Sequence, residues 1–320
     1  MDPLQEKGPP RRRLLKHMQL VYQISRMQRQ RLKEGWEGST KSELFFLSET
    51  RSKTRTMARI QPMFNILFAG FQIGIGMLVF LAESSSIPGL SNSAYSKFRS
   101  SSKGPFVNSR LGMLFLYMCP LAVGTGFLYR FFGPVKGVYL LARNILPILW
   151  SIHFSRRISE VLFVHSYSGP MALFTALSIS IKYSLDVTAT CFFANKRFPI
   201  SKTELAIGLA LFTIGELGNA YHHCLLAGLR KRSKDKSNDY VVPQGGLFSL
   251  LVAPHYFFEL LAIAGILVVS QFEASTLGVF GFMALYLSGR SSATQTWYLR
   301  NVRGWKKVHK DRYKMIPGIW

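Results

Sequence analysis

Seven stretches of about twenty mostly apolar residues dominate this chain of 320, at 63–82, 111–132, 134–154, 169–194, 203–228, 247–270 and 274–298. As a helix, a stretch of that length matches the hydrocarbon thickness of a bilayer. Inside lipid the backbone must satisfy its own hydrogen bonds, which leaves helices or closed barrels. The pattern predicts an all-α fold, a multi-pass transmembrane helix bundle of about seven spans. The fourth span is the most polar, with Lys182 and Asp186 four residues apart, a spacing that predicts an intrahelical pair.

The formal charge of +24 would suit a nucleic-acid binder in a soluble chain, but its distribution argues against one. Basic residues cluster between the apolar stretches. Lys97, Arg99, Lys103 and Arg110 lie in one loop, and Arg156 and Arg157 follow the third span. Arg230 to Lys236 follow the fifth, and Arg300 to Lys314 follow the seventh. With seven spans these clusters share one side, which the charge rule makes cytosolic. The partner expected is therefore the membrane, not nucleic acid. Cys119, Cys191 and Cys224 lie in or beside apolar segments and read as small apolar fillers.

By composition the chain divides into a polar, basic segment 1–60 and a mostly apolar remainder. The first segment is basic and reads as a disordered extension, or as a basic amphipathic helix over Arg11–Lys33 with Leu14, Leu15, Met18, Val21 and Ile24 to one side. With seven crossings it would face away from the cytosol, against the charge rule. Either the first span is not a full crossing, or the functional chain begins near Met57 or Met63. Peptides from residues 11–50 found in the native protein by mass spectrometry would exclude the second option.

Polar stripes mark the cytosolic ends of several spans. Asn219, His223 and Arg230 fall within about 40° on one helical face, with Glu216 close by. His255 and Glu259 are four apart, just after Pro254, a favoured first-turn residue. Arg290, Thr294 and Tyr298 repeat at four, and Arg157 ends the third span. Each has an ordinary structural explanation alone. As a set from several helices they predict a polar pocket, because otherwise each would bear a desolvation cost. The arginines suit an anionic ligand. Seven histidines with a single adjacent pair, His222-His223, predict no metal site. Gly74-Ile75-Gly76 lacks the third glycine of a dinucleotide fingerprint.

The last hundred residues resemble the C-terminal domain of the steroid 5α-reductase family (3-oxo-5α-steroid 4-dehydrogenases). The motifs are Gly218-Asn219 through Leu229-Arg230, Pro243-Gln244-Gly245-Gly246-Leu247-Phe248, Pro254-His255-Tyr256 with Glu259, Trp297-Tyr298-Leu299 and Ile316-Pro317. The stretch Arg157 to His165 is similar to very-long-chain trans-2-enoyl-CoA reductases of the same superfamily. The resemblance spans roughly 88–320. It implies a bundle in the endoplasmic reticulum membrane, with a cytosolic C-terminus and cofactor site. It implies NADPH as cofactor and a lipid substrate entering from the bilayer, a sterol enone, a fatty enoyl thioester or a polyprenol derivative, whose conjugated carbon–carbon double bond is reduced. Residues 61–200 would form the lipid side and 201–320 the cofactor side.

By the same resemblance Arg157, Asn219, His223, Arg230, His255, Glu259, Arg290, Thr294, Tyr298 and Arg312 contact the cofactor. The family polarises the substrate carbonyl with a Tyr in a His-Tyr-x-x-Arg pattern. Here it reads His153-Phe154-Ser155-Arg156-Arg157, so that hydroxyl is missing. Tyr117, about 9 Å below the cytosolic end of span two, or His153 is expected to donate instead. Two alternatives stand beside this reading. One is a membrane methyltransferase of the isoprenylcysteine type using S-adenosylmethionine, which shares a Pro-x-Tyr turn. The other is a non-catalytic lipid-binding relative. Oligomeric state is not legible.

Overall fold

The computed structural model describes residues 41–84, 105–132, 142–167, 169–193, 200–236, 242–302, 305 and 312–320. Side chains are described from 60 onward, except at 130–132, 142–144 and 230–236. The basic helix expected over Arg11–Lys33 and the loop holding Lys97, Arg99 and Lys103 lie outside the described residues. So does the side chain of Arg230.

Two compact units divide between Gln61 and Pro62. In the first, the described residues are helical from Lys41, so helix begins well inside the basic segment. The second unit carries the remaining elements. Seven α-helices are present among the described residues: α1 (Lys41–Ser84), α2 (Ser109–Phe132), α3 (Ala142–Phe163), α4 (Leu173–Phe193), α5 (Lys202–Lys236), α6 (Pro254–Val269) and α7 (Ala274–Asn301). They follow the seven apolar stretches in order. A two-residue antiparallel ladder, β1 (Phe106–Val107) with β2 (Met171–Ala172), ties the start of α2 to the start of α4.

Two boundaries differ from the expected ones for a local reason. The sixth apolar stretch begins at 247, but its helix starts only at Pro254. Proline lacks the N–H that a helix interior needs, so Gly246–Ser249 instead form a 3-10 turn. Gly245 and Gly246 open that turn with positive φ of 88° and 51°, a region that favours glycine. The third stretch was expected to stop near 154, yet α3 continues to Phe163 and keeps Arg156, Arg157 and Glu160 helical. Charged side chains four and three residues apart support one another there.

Local sequence signals explain other starts. Ser201 and Glu204 form a reciprocal capping box before α5, each backbone N–H meeting the other's side-chain oxygen at 3.1 Å. Asn108 caps α2 by accepting from Arg110 N–H at 2.9 Å. The closest helix pair is α5 with α6. A Cβ built on Gly215 would sit 2.3 Å from the Ala262 backbone nitrogen, so glycine there sets how near the two axes come.

The core joins α2, α3, α4, α6 and α7 through Leu116, Leu146, Phe154, Val161, Val187, Ile266 and Leu287. A smaller cluster of Val252, Tyr298, Val302 and Trp305 packs at the end of α7. The C-terminal residues return to the start of α6, where Val252 and Ala253 N–H groups donate to Tyr313 and Lys314 carbonyls.

Large apolar side chains lie exposed on α1, and several charged or polar ones lie buried. Phe64, Ile66, Phe71 and Leu78 of α1 are exposed, while Gln72, Glu83, Asp186, Glu216 and Arg290 are buried. By length and composition, Ile60–Ser84 and Ser109–Tyr129 are apolar enough to cross a bilayer. The expected Lys182–Asp186 pair forms at 2.6 Å, and Gln72 of α1 also donates to Asp186 at 2.6 Å.

Candidate active site

One buried face of α5 carries Glu216, Asn219 and His223, as a period near 3.6 requires. Each meets α3. Glu216 accepts from Arg156 and contacts His153 Nδ1 at 2.6 Å. Asn219 Oδ1 accepts from Arg156 at 2.9 Å, and Asn219 donates to the His255 carbonyl at 2.7 Å. That last bond ties α5 to the first turn of α6, where Glu259 lies one turn on.

Arg157 is the centre of the cluster. Its guanidinium donates to Glu160 at 2.7 Å and to the Tyr117 hydroxyl at 2.7 Å. The His223 Nδ1 atom lies 3.0 Å from Arg157 and 2.9 Å from Glu160. A bare Nδ1 would accept from Arg157, and a protonated one would donate to Glu160, so His223 serves one at a time. Arg156 also reaches Glu160. Four helices therefore meet in one interlocked set of polar and charged groups: α2 through Tyr117, α3 through His153, Arg156, Arg157 and Glu160, α5 through Glu216, Asn219 and His223, and α6 through the His255 carbonyl. On α7, Arg290 approaches Glu83 of α1 at 3.3 Å instead.

The expected site residues thus fall into separate sets. Tyr117, His153, Arg157, Asn219, His223 and His255 come together, with Glu259 near enough to act electrostatically on Arg157 and His223. Arg290 takes a different partner: its place on α7 turns it to α1, where a buried carboxylate compensates it. Tyr298 packs on Trp305 with ring centroids 4.5 Å apart. Arg312 lies over the Trp305 ring at 5.5 Å and donates to the Pro243 carbonyl at 3.4 Å. Burial lowers the Arg312 pKa from the usual guanidinium value, with Tyr298 acting the other way. Thr294 is buried on the same helix. Arg156 and Glu160 were not among the expected site residues. Their signal was present in the chain, as Glu160 stands four after Arg156 and three after Arg157.

Glu160, His165 and His223 place one ligand atom each within 4.8 Å of one another, a spacing a cation could use. Arg156 and Arg157 already bond Glu160. Positive charge is therefore supplied by guanidinium groups where a metal ion would have to sit.

Beside this cluster lies a small, partly open cleft. It is lined by Trp150, His153, Phe154, Tyr183, Asp186 and Glu259, with Ile263, Val279 and Met283 beyond. It joins the charged cluster, through His153 and Glu259, to the aromatic core of α3 and α4.

A mostly helical fold places a carboxylate–guanidinium–imidazole cluster next to an aromatic cleft. Residues 173–320 match the family model described as 3-oxo-5-alpha-steroid 4-dehydrogenase. The chain is 24% identical to polyprenal reductase 2 of Arabidopsis thaliana over 224 residues, covering 58% of this chain and 64% of the relative. It is 28% identical to a very-long-chain enoyl-CoA reductase of Dictyostelium discoideum over 177 residues, covering 54% and 55%. A steroid 5-alpha-reductase of Gossypium hirsutum is 33% identical over 113 residues, covering 35% and 42%. The chain thus spans less than two thirds of the length of each of these three relatives.

Proposed function

We propose that this chain is a membrane-embedded, NADPH-dependent reductase of a carbon–carbon double bond conjugated to a lipid carbonyl. The observation that carries the proposal is the contact between the charged cluster and the aromatic cavity, at His153 and Glu259. The relatives support the reaction class, since their names describe reductases of polyprenal, enoyl-CoA and steroid substrates. A sterol enone, an enoyl thioester and a polyprenal share the one feature this reading needs, a conjugated carbonyl at the end of an apolar body.

The residues fit a dinucleotide. Arg156 Nη2 and Arg312 Nε are buried without a hydrogen-bond partner among the described residues. Buried guanidinium nitrogens call for an acceptor, and phosphate oxygens supply one. Glu259 suits amide or hydroxyl donors of a nucleoside. Arg157, Asn219, His223, Arg230, His255, Glu259, Thr294, Tyr298 and Arg312 would hold the cofactor. Bound there, a reduced nicotinamide supplies hydride.

The chain's own residues do the rest. Glu216 fixes the His153 ring through Nδ1, which leaves Nε2 to meet a substrate. Arg157 holds Tyr117 in place through its hydroxyl. The aromatic lining excludes water, which strengthens any hydrogen bond to a developing oxyanion. The seven helices form the transmembrane bundle in this reading, with buried polar faces turned inward. The site faces the cytosol from the endoplasmic reticulum membrane.

The test is a titration of purified protein in lipid nanodiscs with NADPH, read by thermal stability and tryptophan fluorescence. Stabilisation by NADPH is expected. Stabilisation by S-adenosylmethionine instead would show a methyltransferase, and a response to neither would show a relative without catalysis.

A further inference from the structure

His222 stands beside His223 on α5 but faces away from the charged cluster. Its side chain is buried, and both ring nitrogens are used. Nδ1 lies 2.7 Å from the Gly218 carbonyl oxygen, one turn back on the same helix. A carbonyl can only accept, so Nδ1 carries the proton. Nε2 lies 3.1 Å from the Leu247 backbone nitrogen, whose N–H donates to it. The geometry therefore requires a neutral ring protonated at Nδ1 alone. The bond to Gly218 leaves Nε2 bare to receive Leu247.

Leu247 belongs to the 3-10 turn Gly246–Ser249, and that turn is pressed against the imidazole. A Cβ built on Gly246 would sit 2.6 Å from His222 Nε2, so only glycine lets the backbone come this near. Phe248 of the turn packs edge-to-face with the ring at 5.5 Å, and Phe258 of α6 stacks on it at 5.1 Å. His222 thus pegs the turn between α5 and α6. The segments on either side of the turn hold the C-terminal residues. Arg312 donates to the Pro243 carbonyl at 3.4 Å. Tyr313 N–H donates to the Leu250 carbonyl at 3.1 Å, and Val252 N–H donates to the Tyr313 carbonyl at 2.9 Å. What fixes the turn therefore fixes Arg312.

We infer that His222 is a positioning residue for the cofactor, acting through Leu247 and the turn to hold Arg312 where it meets a dinucleotide phosphate. The inference rests on the NADPH reading above. His222 itself touches neither cofactor nor substrate. Losing its Nε2 acceptor leaves the Leu247 N–H without its partner and releases the turn. NADPH binding should then weaken about tenfold or more. The cost falls on binding rather than on the hydride step, because the charged cluster on α3 makes no contact with His222.

The test uses the whole protein in nanodiscs and three variants. His222→Gln carries a carbonyl oxygen to the Nε2 position and can accept from Leu247. His222→Asn keeps an amide donor for Gly218 but is too short to reach Leu247. His222→Phe keeps the ring and loses both nitrogens. NADPH dissociation constants are read by tryptophan fluorescence. Wild type and His222→Gln should bind alike, with His222→Asn and His222→Phe weaker about tenfold or more. In turnover the loss should appear in the KM for NADPH, with kcat little changed. ¹⁵N spectra of histidine-labelled protein, assigned by the signal lost in His222→Gln, should show a neutral ring with its proton on Nδ1. A proton on Nε2 instead, wild-type affinity in His222→Asn and His222→Phe, His222→Gln as weak as His222→Asn, or a loss confined to kcat overturns the assignment and leaves the cofactor reading standing. Wild type that gives the expected His222 signal yet binds no NADPH would remove the cofactor reading, and the positioning role with it.

Discussion

Replacing Arg157 with Met keeps the length of the side chain and removes one buried charge. Three contacts are lost together: to Glu160 and Tyr117 at 2.7 Å each, and to His223 at 3.0 Å. Removing one partner of a buried pair costs about 3–5 kcal/mol, because the remaining charge is left uncompensated. Arg156 still reaches Glu160, which places the cost near the lower end, about 3 kcal/mol. For a unit of this size that corresponds to a fall in Tm of about 6–12 °C. The assay is thermal unfolding in detergent or nanodiscs of wild type, Arg157→Met, Glu160→Gln and the double variant. Removing both charges relieves the orphaned carboxylate, so the double variant should be more stable than the two single losses added. An interaction energy of about 1–3 kcal/mol is expected from the cycle. A fall in Tm of under about 1 °C for Arg157→Met, or strictly additive effects, would refute the claim that Arg157 holds this cluster together.

Arg290→Met strands the Glu83 carboxylate inside the α1–α7 contact, so it should cost about 3–5 kcal/mol of stability in the same assay. Arg312→Ala should instead weaken NADPH binding about tenfold or more, read by fluorescence titration, with little change in Tm. Gly215→Ala places a Cβ against the α6 backbone, 2.3 Å from Ala262 nitrogen, and should destabilise by about 1–3 kcal/mol in thermal unfolding by forcing α5 from α6. Glu216→Gln removes the charge that orients His153, and a fall in kcat of about tenfold or more is expected in a NADPH oxidation assay.

What was legible in the chain follows the reach of each physical rule. Apolar length marked seven helices because burial in lipid or in a core both demand it. Helical periodicity put Glu216, Asn219 and His223 on one face, since it depends on rotation within a single element. The same rule paired Lys182 with Asp186. Contacts between helices were not legible to that extent. Gln72 reaching Asp186 and Arg290 reaching Glu83 depend on how α1 rotates against α4 and α7. Pattern along one strand of sequence carries no such information. The same limit explains why Arg290 was grouped with Arg157 although it pairs elsewhere.

In the proposed reading, the charged cluster and the cleft together reduce, with NADPH, a carbon–carbon double bond conjugated to a lipid carbonyl. The direct measurement is NADPH oxidation by purified protein in nanodiscs, with mass spectrometry of the lipid, on adding a polyprenal, an enoyl thioester or a sterol enone. The account predicts that at least one is saturated at its double bond, one molecule for each NADPH consumed, and that Glu259→Gln weakens NADPH binding. No NADPH consumption with any of the three, from protein that is folded and binds lipid, would contradict it.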